Sequence, residues 1–205
     1  MIETLSIFLL LMAVIWILPA GGWAIAGTVL AFGWMGINLA ENYRGQLFEK
    51  LGLCPRPESY RQPVFWHWFF SSFAVILILA WIFNPDVFTK PDLLIRFHDN
   101  LRNCLLWVSL QLLILLGYFA NRLKDALKKD WLAALVAALI FGLIHLPNPI
   151  LTPATALLAF TVSYVFLKSP NLFLPIIAMA ILRTELKILI LQDLIDHGMR
   201  IGPGF

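Results

Sequence analysis

The chain has 205 residues, of which 60% are hydrophobic and 13% charged, and its mean hydropathy is +0.83. A soluble domain carries about a quarter charged residues, so a water-facing globule is excluded and a single integral membrane domain over 1–205 is expected. The formal charge of +3 is spread over several loops and makes no single basic face, which argues against a nucleic-acid partner and leaves the lipid bilayer as the first one.

Crossing about 30 Å of hydrocarbon at about 1.5 Å per residue requires roughly 17–25 apolar residues, and seven such stretches separate at charged or Pro/Gly-rich breaks. The predicted fold is therefore all-α, a polytopic bundle of about seven transmembrane helices. Residues 2–18 and 23–40 form a hairpin through Pro19, Ala20, Gly21 and Gly22. Met1 to Ala20 has no Lys or Arg and runs into a second apolar stretch, so it reads as a retained helix and not as a cleaved signal. A charged loop, 41–63, leads to a third span at 64–84 that opens on an interfacial cluster of Phe65, Trp66 and Trp68. The mixed stretch 91–103 is expected to lie along the interface, with a fourth span at 104–121. A basic linker, 122–130, precedes a fifth span from Trp131 to Leu146, which Pro147 and Pro149 end. The sixth and seventh spans follow at 150–167 and 171–191, ahead of a polar tail.

Alternate loops differ in basic residues. Arg44, Lys50, Arg56, Arg61, Arg122, Lys124, Lys128, Lys129 and Lys168 fall on one side, and Lys90, Arg96, Arg102 and Arg200 on the other, nine against four. The positive-inside rule then puts the amino terminus and loops 41–63 and 122–130 in the cytoplasm, and short loops suit a bacterial inner membrane. Cys54 and Cys104 fall on opposite sides of the bilayer, so no disulfide joins them.

Ionisable side chains at bilayer depth cost about 2.5–3.5 kcal/mol each on insertion scales, so every one requires a partner, a cavity or a function. Candidates are His67, His145, Arg183, Glu185 and Lys187, with the neutral amide of Gln111 in addition. Phe141 precedes His145 by one turn on the same face, and a histidine there reads either as a hydrogen-bonded structural residue or as a reactive one. Arg183 and Lys187 share a face, whereas Glu185 is rotated about 200° from Arg183, so Glu185 needs a partner on another element. Arg183 and Lys187 read either as cations snorkelling to the interface or as lining groups.

The run from Trp131 to Asn148, with Phe141-Gly-Leu-Ile-His145 at its centre, resembles the second motif region of the CAAX protease and bacteriocin-processing family of intramembrane proteases. The basic linker before Trp131, Leu51-Gly52-Leu53 in the early loop, and the segment from Asn171 to Ala180 are similar to corresponding parts of that family, whose core falls at about 105–187 here. The family's first motif is Glu-Glu followed after three residues by Arg, and its last is a His followed four residues later by Asn or Asp. These positions are occupied here by Gln111 and Leu112, and by Met179 and Arg183; only Phe141 and His145 match.

In such a protease a carboxylate takes a proton from water, and no Asp or Glu lies between Arg102 and Arg122. Gln111 has no useful basicity, and Met179 cannot donate to an oxyanion. The resemblance with these departures implies a non-catalytic binding, scaffold or assembly subunit, with a cavity lined by Phe141, Gln111, Asn148, Met179 and Arg183. Its partner is expected to be another membrane protein or a lipidated or transmembrane peptide. The alternative is a CAAX-type endopeptidase with a rearranged base, in which His145 and Glu185 are catalytic. One histidine falls short of the three ligands of a catalytic zinc, so no metal or other cofactor is implied.

Overall fold

The computed structural model describes residues 2–17 and 22–191. The predicted turn at Pro19, Ala20 and Gly21, and the tail that contains Arg200, lie outside them. The described residues are helical with irregular connections: α1 (Ile2–Trp16), α2 (Gly22–Asn42), α3 (Leu47–Lys50), α4 (Pro63–Phe83), α5 (Leu93–Leu112), α6 (Asn121–Leu127), α7 (Asp130–Ile144), α8 (Leu151–Lys168) and α9 (Phe173–Leu186). A π-helical stretch, Leu113–Ala120, joins α5 to α6 without a break, and a second, Lys187–Leu191, continues α9.

Four helices are long and apolar enough to cross a membrane, namely α2, α4, α8 and the continuous rod Leu93–Leu127, while α1 and α7 are shorter apolar helices. Their outward faces carry Trp23, Val29, Phe70, Ile78, Trp81 and Leu157, all exposed. Such surfaces are stable only against hydrocarbon, and the backbone polar groups are satisfied within each helix. The molecule is an all-α membrane helix bundle.

The rod corrects one sequence expectation. Residues 93–103 do not lie separately along the interface; they are the first three turns of a 35-residue helix. At about 1.5 Å per residue the rod is about 52 Å long, more than the hydrocarbon is thick, so its charged first turns extend past the apolar layer. The mixed pattern that suggests an interfacial segment is satisfied instead by packing on one side, where Cys104 is buried against Ala180 and Thr184 of α9 and Lys187 Nζ donates to Asn100 Oδ1.

The most extensive helix pairing is α7 on α8. Buried Ala133, Ala134, Ala137, Ala138 and Gly142 form a stripe of small residues that lets the two backbones approach closely. A Cβ built on Gly142 would stand 2.9 Å from Ala156 Cβ and 3.2 Å from the Thr152 carbonyl oxygen, so glycine sets that spacing.

One end of the bundle is tied by long-range polar contacts. Arg122 pairs with Glu3 at 2.9 Å, and Tyr43 Oη donates to Asp125 at 2.6 Å. Asn121 Nδ2 donates to the Lys50 carbonyl at 2.8 Å, and Lys124 Nζ to the Leu167 carbonyl at 2.7 Å. Loops 41–63 and 122–130, the start of α1 and the α8–α9 turn therefore share one end, which is the relative sidedness that the charge count implies.

Candidate functional site

Four helices contribute stripes at i, i+3 and i+4 spacing to a small intramembrane cleft of about 80 Å³. Trp107, Val108, Gln111 and Leu112 come from α5, and Phe141 and His145 from the end of α7. Leu151, Ala154, Thr155 and Leu158 come from α8, and Met179, Arg183 and Leu186 from α9. At about 30 Å³ per molecule of liquid water, the space corresponds to two or three waters.

His145 sits where α7 ends, with φ −91° and ψ 5°, and is 6% exposed. Its Nδ1 lies 2.7 Å from the Phe141 carbonyl oxygen. A carbonyl only accepts, so Nδ1 carries the proton, and in the neutral ring Nε2 is left as an acceptor. The Phe141 and His145 rings pack edge to face with centroids 4.8 Å apart, which fixes the imidazole from a second side. Arg183 and Gln111 make no hydrogen bond or ion pair with a described residue, and both line the cleft. Thr155 is already engaged, its Oγ1 donating to the Leu151 carbonyl at 2.7 Å. The polar groups offered are thus one acceptor nitrogen, one amide and one guanidinium, set among apolar walls.

The two other predicted site residues lie elsewhere. Asn148 is fully buried but does not line the cleft; its Oδ1 accepts from the backbone N–H groups of Ile150 and Leu151 at 3.2 and 2.8 Å and shapes the start of α8. Glu185 is 1% exposed, is absent from the cleft lining, and neither carboxylate oxygen has a hydrogen-bond partner among the described residues. Its position about 200° around α9 from Arg183 accounts for the separation. His67 is exposed and shares a hydrogen bond with the Pro63 carbonyl at 2.7 Å, a local contact within α4. Among the described residues no group of three His, Cys, Asp or Glu is placed to hold a metal ion.

Trp107, Thr155 and Leu158 are cleft residues that the sequence reading does not single out. Trp107 was reachable, since it lies one turn before Gln111 on the same face. Thr155 and Leu158 were not, because nothing in the sequence of α8 says which stripe faces α7 and α9.

Two larger apolar hollows flank the cleft. One, of about 690 Å³ between α4, α8 and α9, shares Ala154, Leu158 and Leu186 with it. The other, of about 410 Å³ against α1, α2 and α7, shares Trp107, Gln111 and Phe141. Two of the four helices that carry cleft residues, α5 and α9, change to π-helix immediately beyond the cleft, at Leu113 after Leu112 and at Lys187 after Leu186. Such segments are uncommon and concentrate at functional sites.

A family model described as type II CAAX prenyl endopeptidase Rce1-like matches residues 102–183, a span that holds every cleft residue except Leu186. No curated protein and no solved structure matches the chain. With the retained Phe141 and His145 placed together in an intramembrane cleft, the match over residues 102–183 supports a relation between this part of the chain and the CAAX-protease-like membrane family.

Proposed function

We propose that this chain is a non-hydrolytic relative of that family that works by binding, holding a lipidated peptide or a transmembrane segment of another membrane protein in the cleft. The observation that carries this reading is the absence of any Asp or Glu, among the described residues, from the cleft lining. In such a protease a carboxylate takes the proton of the attacking water, directly or through one further water, and the lone imidazole of His145 has no acidic neighbour in the lining to support it in that role. Gln111 holds a water without taking its proton, and the one carboxylate carried nearby on α9, that of Glu185, is on another face of that helix.

The same features suit binding. Arg183 offers a charge-assisted donor to a carboxylate or a backbone carbonyl, and His145 Nε2 accepts from an N–H. The flanking hollows give an apolar chain room beside these groups and contact with the bilayer. Opposite chemistry at centre and flanks matches an amphipathic ligand arriving from the membrane.

Photo-crosslinking of the purified protein in lipid nanodiscs with a farnesylated peptide that carries a diazirine tests this. Labelling is expected at α5, α8 or α9 peptides that line the cleft, with Arg183→Gln weakening it about tenfold and Glu185→Gln leaving it unchanged. Labelling that ignores Arg183→Gln and disappears in Glu185→Gln would transfer the site to Glu185 and restore the endopeptidase reading.

A further inference from the structure

A second concavity, of about 260 Å³, lies at the tied end of the bundle, away from the cleft. It is lined by Lys50 at the end of α3, by Arg56 in the following loop, and by Lys168 and Ser169 at the end of α8. None of the three cations is within ion-pair distance of a carboxylate among the described residues, although Glu49 also borders the hollow. Three like charges gathered in one hollow repel one another, which is an arrangement that an anion relieves.

Their backbone supports are rigid. Gly52, at φ +69°, accepts the Leu172 N–H at 3.0 Å, and Asn171 Nδ2 donates to Ser59 Oγ at 3.0 Å. These contacts dock the early loop on the α8–α9 turn. Lys168 Nζ stands 4.3 Å from the Tyr164 ring centroid and Lys50 Nζ 5.6 Å from that of Tyr43, so both ammonium groups are held over aromatic faces. Phe48, 64% exposed, stands on α3 next to this group, where a ring is stable against acyl chains. The hollow lies at the ends of α3 and α8, at the level where apolar helix gives way to charged loop, which is the level of lipid headgroups.

We propose that this pocket binds the phosphate of an anionic bilayer phospholipid. The lipid phosphate is favoured over a free one because the cations sit beside an exposed aromatic at the membrane edge, so a ligand with acyl chains gains contacts that a free anion lacks. Basic pockets of this kind on the positively biased side of helix bundles suit anionic headgroups, at about fivefold in affinity per cation. The proposal is independent of what the cleft does.

Native mass spectrometry of the detergent-solubilised full chain, titrated with phosphatidylglycerol or phosphatidylcholine, reads it directly. One phosphatidylglycerol is expected to bind in preference to phosphatidylcholine, and the combined variant Lys50→Gln, Arg56→Gln, Lys168→Gln to lower that preference on the order of a hundredfold. Arg96→Gln with Arg102→Gln, at the opposite end, removes charge without touching the pocket and should leave the preference intact. Equal loss in both variants would reduce the effect to bulk charge, an unchanged preference in the first would place the lipid elsewhere, and displacement by millimolar inorganic phosphate would make it a free-anion site; each overturns the proposal. Thermal unfolding of each variant separates loss of binding from loss of fold.

Discussion

Single positions in this bundle matter through what they exclude. At Gly52 the backbone is left-handed, with φ +69°, and an added Cβ would meet Leu172 N and a Phe166 ring carbon at 2.8 Å. Neither the torsion nor the space admits a side chain. Gly52→Ala should therefore cost about 1–3 kcal/mol and lower the midpoint of thermal unfolding in detergent, while Gly45→Ala, also at positive φ but with open space around it, should cost less. Equal midpoints for the two variants would contradict the close approach. In the sequence this glycine is visible only as part of Leu51-Gly52-Leu53; its reason, the turn between α8 and α9, lies more than a hundred residues away. His145 was similarly half legible. The Phe141 spacing marked it, but the carbonyl contact that assigns its proton follows from the way α7 ends.

Helix pairs decide which of these residues meet. The seven apolar stretches are readable because hydrocarbon thickness fixes their length, and six of them coincide closely with helices. The fourth does not, since Asp92 to Asn103 reads as a polar break although its apolar side packs on neighbouring helices and its charged side extends beyond the apolar layer. Which stripes face the cleft depends on the approach of α7 to α8 through Gly142 and the alanines beside it. Replacing Gly142 by Leu should push these helices apart, displace His145, and reduce crosslinking in the cleft at least tenfold, with a loss of about 2–4 kcal/mol in stability. Leu143→Ala, on the exposed face of the same turn, should change either by little. If Gly142→Leu folds and labels as well as the parent chain, the cleft does not depend on this packing.

For the molecule as a whole, the tied end carries the basic loops, so the charge count and the three-dimensional arrangement make the same division between the two ends. Cys54 is an exposed free thiol at that end and Cys104 is buried, which makes Cys54 a reporter of orientation. The positive-inside rule places it in the cytoplasm. A membrane-impermeant maleimide should label Cys54 in inside-out vesicles and not in intact cells or spheroplasts; the opposite pattern would invert the topology. Function was less legible than the grouping of the basic loops at one end of the bundle. The departures at Gln111, Leu112, Met179 and Arg183 indicate what the cleft lacks, but the direction taken by Glu185 depends on how α9 is rotated in the bundle.

The central claim is that the cleft, among the described residues, offers no carboxylate to draw a proton from water. Incubation of the purified chain in nanodiscs with a farnesylated CAAX peptide and, separately, with a transmembrane peptide, followed by mass spectrometry of the products, tests it most directly. No cleavage above that of empty nanodiscs is predicted for either substrate. Cleavage by the parent chain that is abolished by His145→Ala would contradict the account.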